Sequence, residues 1–147
     1  MRTGHVLCLD TIGFHKLHYT DWGDPVSPRV VICVHGLTRN CRDFDFLARA
    51  LAGACRVVCP DIAGRGRSAW LTRKEDYDYP QYMRDVTALI ARVTAWPVAT
   101  HWLGKLSNFL GRRYGSRSIY WVGTSMGGIL GMLLAARPNS PIRKLVV

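Results

Sequence analysis

No apolar stretch in this chain approaches the roughly 20 residues that a membrane-spanning helix needs. The start, Met1-Arg2-Thr3-Gly4-His5, lacks the hydrophobic core of a secretion signal. Both absences lead us to expect a cytoplasmic protein without a membrane span. The cysteines (Cys8, Cys33, Cys41, Cys55 and Cys59) are odd in number and contain no C-x-x-C pair. Neither their spacing nor the placement of the histidines suits zinc, so no metal is expected. Cys33, Cys55 and Cys59 lie in or beside strand-like apolar runs, where a free thiol packs as a small hydrophobe. Lys and Arg outnumber Asp and Glu by 20 to 10, yet no basic run is longer than a pair such as Arg112-Arg113, and no basic stripe alternates with aromatics. That distribution reads as a solvated, arginine-rich surface and not as a nucleic-acid footprint. Internal repeats and low-complexity tracts are absent as well.

What is present fits one globular domain. The chain has 147 residues with 48% hydrophobic content, and a complete domain of that size buries about 70% of its unfolded surface. Val6-Leu7-Cys8-Leu9 and Lys16-Leu17-His18-Tyr19 alternate around Gly13 and predict a hairpin or two short strands. Asp21-Trp22-Gly23-Asp24-Pro25 reads as a loop. Val30-Val31-Ile32-Cys33-Val34 is continuously apolar, as in a strand buried on both faces, and ends at His35-Gly36-Leu37-Thr38. Phe44, Leu47, Ala48 and Leu51 recur at helical spacing, with Asn40 or Asp43 available as N-cap. Arg56-Val57-Val58-Cys59 is a further buried strand, leading into Pro60-Asp61, and Tyr82, Val86, Ile90 and Val93 mark a second amphipathic helix.

Residues 96–118 make an unusually long connection. Trp102, Leu106, Phe109 and Leu110 within it can share a face, so an inserted helix is expected. It would lie at the N-terminal edge of the sheet, away from the chemistry, as a packing element or a surface anchor. Ile142 to Val147 looks like one more strand. The recurring strand–loop–helix order predicts an α/β fold with a mainly parallel sheet and flanking helices.

The segment Gly123-Thr124-Ser125-Met126-Gly127-Gly128 follows the strand-like Ile119-Tyr120-Trp121-Val122 and precedes an apolar helical run from Ile129. Strand, Gly-x-Ser-x-Gly turn and helix in that order describe a nucleophile elbow. The turn must be so tight that side chains at Gly123 or Gly127 would collide across it. It would hold the serine oxygen clear of the sheet, at the start of a helix whose first amides face developing negative charge. Two further loops leave the C-terminal ends of strands, where a parallel sheet gathers its ligands: His35 to Thr38, and Asp61-Ile62-Ala63-Gly64-Arg65-Gly66-Arg67-Ser68.

In this ordered set (H-G, then D-x-x-G-x-G-x-S, then G-x-S-x-G) the chain resembles the α/β-hydrolase superfamily, particularly its esterase-like and carbon–carbon-bond hydrolase members. The resemblance runs from about Leu17 to Val147, apart from the 96–118 insert. It implies Ser125 as nucleophile, the backbone amides of Leu37 and Met126 as oxyanion hole, and Gly36 as the residue that lets that backbone come close. His35 and Asp61 would be supporting residues of their loops, and His5, His15, His18 and His101 surface or satisfied polar residues. An aspartate nucleophile is disfavoured because serine stands at the elbow. The resemblance further implies no cofactor and a small-molecule acyl or ester substrate, with cleavage of an ester, thioester or activated carbon–carbon bond. An acyltransferase, a cofactor-free haloperoxidase or a non-catalytic interaction protein on the same fold are the alternatives.

The superfamily order is serine, then acid, then histidine, but residues 126–147 contain no Asp, Glu or His. We therefore expect an incomplete α/β-hydrolase domain, ending inside a strand before the lid and the last strands. The expected origin is a fragment of a longer hydrolase, or a short protein that borrows its missing half from a partner. A serine without its base is a poor nucleophile, and a template enzyme so depleted keeps about a thousandth or less of its activity. The sequence leaves oligomeric state and substrate open.

Overall fold

A computed structural model describes residues 1–95 and 117–147. Among these residues six strands form one sheet in the order β1-β2-β4-β3-β5-β6. They are β1 (Arg2–Leu9), β2 (Phe14–Trp22), β3 (Arg29–Val34), β4 (Arg56–Pro60), β5 (Ser118–Gly123) and β6 (Ile142–Val146). The first two make an antiparallel hairpin, and β2 also runs antiparallel to β4. From β4 through β3 and β5 to β6 every pairing is parallel. The sheet is thus mainly parallel, and its central strands alternate sides. Val30, Ile32, Val34, Val58, Ile119 and Trp121 join one apolar cluster, whereas Val31, Cys33, Val57 and Cys59 join the other. Burial on both faces is why β3 reads as an unbroken apolar run.

Among the described residues three α-helices cover these faces: α1 (Asp45–Leu51), α2 (Tyr79–Thr94) and α3 (Met126–Ala135). Phe44 and Ala48 pack into the cluster with Val31 and Cys33, while α2 and α3 cover the opposite side through Val86, Leu89 and Leu130. Asn40 serves as a cap through its side chain, which accepts the Arg42 N–H, but the element it starts is a short helical turn over Cys41–Phe44 that precedes α1. Leu47 turns outward. Asp78 caps α2 by accepting the Gln81 N–H, and Pro80 sits in the first turn where its missing donor costs nothing.

Several sequence expectations need correction. The strands of the hairpin are longer than their alternation suggested, and Asp21 and Trp22 belong to β2, so the loop begins only at Gly23. Asp21 sits inside the sheet because Arg56 of β4 meets its carboxylate with two nitrogens, at 3.0 and 3.1 Å. Ser118 begins β5 and is no part of an insert; residues 96–116, where a helix was expected, lie outside the described residues. Buried Gln81 and Asp85 interrupt the apolar face of α2, and Asp85 Oδ2 lies 3.0 Å from His15 Nε2. No helix among the described residues is long and apolar enough to cross a membrane.

Candidate active site

The C-terminal ends of β3, β4 and β5 release three loops on one edge of the sheet. The tightest is the turn after β5. Ser125 has φ 52° and ψ −114°, a left-handed conformation that non-glycine residues seldom adopt. Four hydrogen bonds hold it there: Thr124 N–H to the Val34 carbonyl, Gly127 N–H to Thr124, Ile129 N–H to Ser125, and Trp121 Nε1–H to Gly127 at 2.9 Å. A Cβ on Gly127 would overlap the Val34 carbonyl, and one on Gly123 would overlap the backbone of Gly127. Both positions are thus open to glycine alone. Ser125 is exposed at the start of α3, with Met126 buried behind it.

The loop after β3 lies against this turn. Leu37 is 56% exposed. Among the described residues neither its amide nor that of Met126 donates to a backbone or side-chain acceptor. A Cβ on Gly36 would stand 3.6 Å from Ser125 Cβ, an ordinary contact. Glycine there is not a steric necessity of the fold; a side chain would instead reach toward the serine. His35 is fully buried and has both ring nitrogens occupied. Its Nε2 accepts the Ile62 N–H at 3.0 Å, which leaves the proton on Nδ1 to bond the Gly36 carbonyl at 2.7 Å. Burial pushes the His35 pKa below its usual 6.5, with the Gly36 bond opposing. A histidine so engaged ties the first loop to the second and is not available as a base for Ser125.

The second loop is organised by Asp61. Its Oδ1 accepts the Cys41 N–H at 2.7 Å; its Oδ2 accepts the Arg67 N–H and His18 Nδ1–H, both at 2.9 Å. Burial by itself would raise this carboxyl, but those donors outweigh it and hold it below the usual 3.8. Gly66, at φ +53°, lies so close under the carboxylate that a Cβ would overlap it. His18 and His15 are both buried, against Asp61 and Asp85, whereas His5 is exposed and His101 lies outside the described residues.

All five cysteines are free and buried. Among the described residues two trios of possible metal ligands come together, Cys8-His15-Asp85 and His18-Cys41-Asp61, with ligand atoms within 4.8 Å of one another. In each trio the histidine bonds its carboxylate through one ring nitrogen, which leaves His15 Nδ1 and His18 Nε2 buried without a hydrogen-bond partner. The thiols are kept neutral, with the Cys8 pKa pushed up to about 12 by burial first and Asp85 second.

The three loops and the start of α2 surround a cleft of about 530 Å³. Ser125, Met126 and Leu37 line it, and so do Arg65, Trp70, Tyr77, Tyr82 and Ile129. Sequence reasoning missed this second group, apart from placing Tyr82 on the inner face of α2. The signal for Arg65 was its position between two glycines of a loop leaving the C-terminal edge of the sheet. For the aromatic residues no local pattern existed, since three separate segments deliver them.

Comparison with known proteins agrees with the fold. Residues 31–147 match the family model described as "Alpha/beta hydrolase family". A 3-hydroxybutyrate-oligomer hydrolase from Cupriavidus necator is 47% identical over 146 residues; the match covers 99% of this chain and 43% of that protein. The crystal structure of an alpha/beta hydrolase from Novosphingobium aromaticivorans superposes with TM-score 0.70 at 34% identity, over 97% of this chain and 42% of that one. A haloalkane dehalogenase from Paraglaciecola agarilytica reaches TM-score 0.75 at 22% identity, over 99% and 42% of the two chains, and shares the fold alone. The chain thus spans less than half the length of these relatives, and within that span it belongs to the alpha/beta hydrolase family.

Proposed function

We propose that the protein is a serine hydrolase of short oligoesters of hydroxy acids, with residues 1–147 forming part of one hydrolase domain. The observation that carries this reading is Ser125, exposed in a cleft at a left-handed φ of 52°, in a turn that only glycines at 123 and 127 permit. A strained serine facing a cleft is strain placed where chemistry needs it. The 47% identity to a 3-hydroxybutyrate-oligomer hydrolase supports the substrate class.

In the proposed reaction Ser125 Oγ bonds to the ester carbonyl carbon while the C=O electron pair moves onto oxygen. The amides of Leu37 and Met126 receive that oxyanion. Removing one such donor costs about a hundredfold or more in rate. Collapse expels the alcohol, and water then releases the acid from the acyl-enzyme. The Oγ proton passes to a base and on to the leaving alkoxide. That base is a group other than His35, whose two nitrogens are engaged, and none lies within residues 126–147. His35, Gly36, Asp61, Gly123 and Gly127 serve by shaping and bracing the three loops.

A fluorophosphonate probe tests the nucleophile. Labelling that disappears in Ser125→Ala, together with release of 3-hydroxybutyrate from its linear dimer, is the expected result. A folded sample that takes no label would overturn the nucleophile reading and favour a non-catalytic interaction protein.

A further inference from the structure

Arg65 projects into the same cleft as Ser125 and is held there unusually well for a loop arginine. Its Nε donates to the Leu37 carbonyl at 3.0 Å, and its Nη1 donates to the Ala63 carbonyl at 2.8 Å and to the Tyr82 hydroxyl at 2.9 Å. The guanidinium carbon lies 5.3 Å from the Tyr82 ring centre and 5.9 Å from that of Tyr77. Nη2 has no hydrogen-bond partner among the described residues, and none of their carboxylates pairs with the guanidinium. Asp78, which also lines the cleft, accepts the Gln81 N–H as the cap of α2. A half-buried cation, immobilised by neutral groups and left with a free edge in a ligand-sized cleft, is arranged to receive an anion. Its ordering cost is already met in the free protein, and a planar guanidinium matches a carboxylate.

We propose that Arg65 forms a carboxylate subsite, which holds the free acid end of a short hydroxy-acid oligoester while an ester carbonyl of that chain rests at Ser125. The proposal rests on the hydrolase reading and adds to it what selects the substrate: short oligomers with a free acid terminus over neutral esters of similar size. Tyr77, Tyr82 and Trp70 would cover the apolar carbons between the two ends. Arg65 is then a specificity residue that also positions the Leu37 loop, and the two roles separate experimentally.

The test uses the protein purified at the length its gene encodes, with the linear 3-hydroxybutyrate dimer as free acid and as methyl ester. Arg65→Gln is expected to reduce the preference for the free acid, taken as the ratio of the two kcat/KM values, by about tenfold to a hundredfold. Arg65→Lys, which keeps the charge without the fork, should retain part of that preference and guards against misfolding of the glutamine variant. Binding of both probes is followed in parallel by calorimetry in a Ser125→Ala background, so that turnover plays no part. Equal losses for acid and ester in Arg65→Gln would reduce Arg65 to a brace for its loop and overturn the subsite. The absence of any preference in the unaltered protein would overturn it as well. Arg65-dependent binding of the acid without cleavage of either ester would leave the subsite standing and remove the hydrolase reading.

Discussion

At Gly127 the Val34 carbonyl occupies the space that any Cβ would need, so the turn and the adjoining end of β3 were shaped together. Gly127→Ala is therefore expected to destabilise the fold by about 3 kcal/mol, read from the shift of a urea unfolding midpoint. Gly36→Ala is the informative contrast, because its Cβ meets only ordinary contacts, the closest at 3.6 Å. It should unfold close to the unaltered midpoint yet lose activity, since the new methyl points toward Ser125. The motifs marked both glycines for one general reason, close backbone approach, and only the packing separates a steric requirement from a functional one. The buried titratable groups act on stability with a definite sign. His35 has a folded pKa below its usual 6.5, so its contribution is complete above that value and is lost as pH falls through the folded pKa. Asp61 behaves likewise below its usual 3.8. Asp85, raised by burial, has the opposite sign: what it contributes at low pH is lost as pH rises through its folded pKa. Thermal unfolding should accordingly show a first loss of stability beginning just under pH 6.5. His35→Gln should remove that step and leave the loss at lower pH, where Asp61 takes up its proton.

At the level of elements, the helices were legible because their apolar residues recur; of the caps only Asn40 was read from the sequence, and it starts the short turn before α1, whereas the Asp78 cap of α2 emerged with the structure. Each cap bonds an N–H of the first turn. Asp78→Ala should cost about 1 kcal/mol, measurable by chemical denaturation, with the added consequence that the start of α2 forms one wall of the cleft. The polar residues within elements were harder to read. Asp21 has the look of a turn residue, yet it pairs with Arg56 across β2 and β4, and the Arg56 guanidinium also donates to the Val93 carbonyl near the end of α2. Breaking this pair with Asp21→Ala leaves a buried guanidinium without its counter-charge and should cost about 3–5 kcal/mol in the same measurement. Gln81 and Asp85 likewise face inward on α2, where they meet the Leu9 carbonyl and His15. Local periodicity cannot foresee such residues, because their partners are supplied by strands about 70 positions away.

Across the whole molecule, the sheet presents β6 at its edge, with Val146 and Val147 exposed at 61% and 69% among the described residues. An unpaired strand edge with apolar side chains is a template for further pairing. Expressed as an isolated polypeptide, residues 1–147 should therefore self-associate, and size-exclusion chromatography showing a compact monomer with a cooperative melt would contradict this. The sequence by itself determined the α/β class, the mainly parallel sheet and the order of the three loops. Those properties reside in local periodicity and in turns that demand glycine, which are written in consecutive residues. Tertiary structure alone decided that His35 has no nitrogen left for Ser125, that His15 and His18 are buried against carboxylates, and that Arg65 meets Tyr82 and Leu37 beside the serine. These relations join side chains from separate strands and helices, and their energies depend on burial and on the direction of each donor. Neither quantity exists until the sheet has brought the loops to one edge.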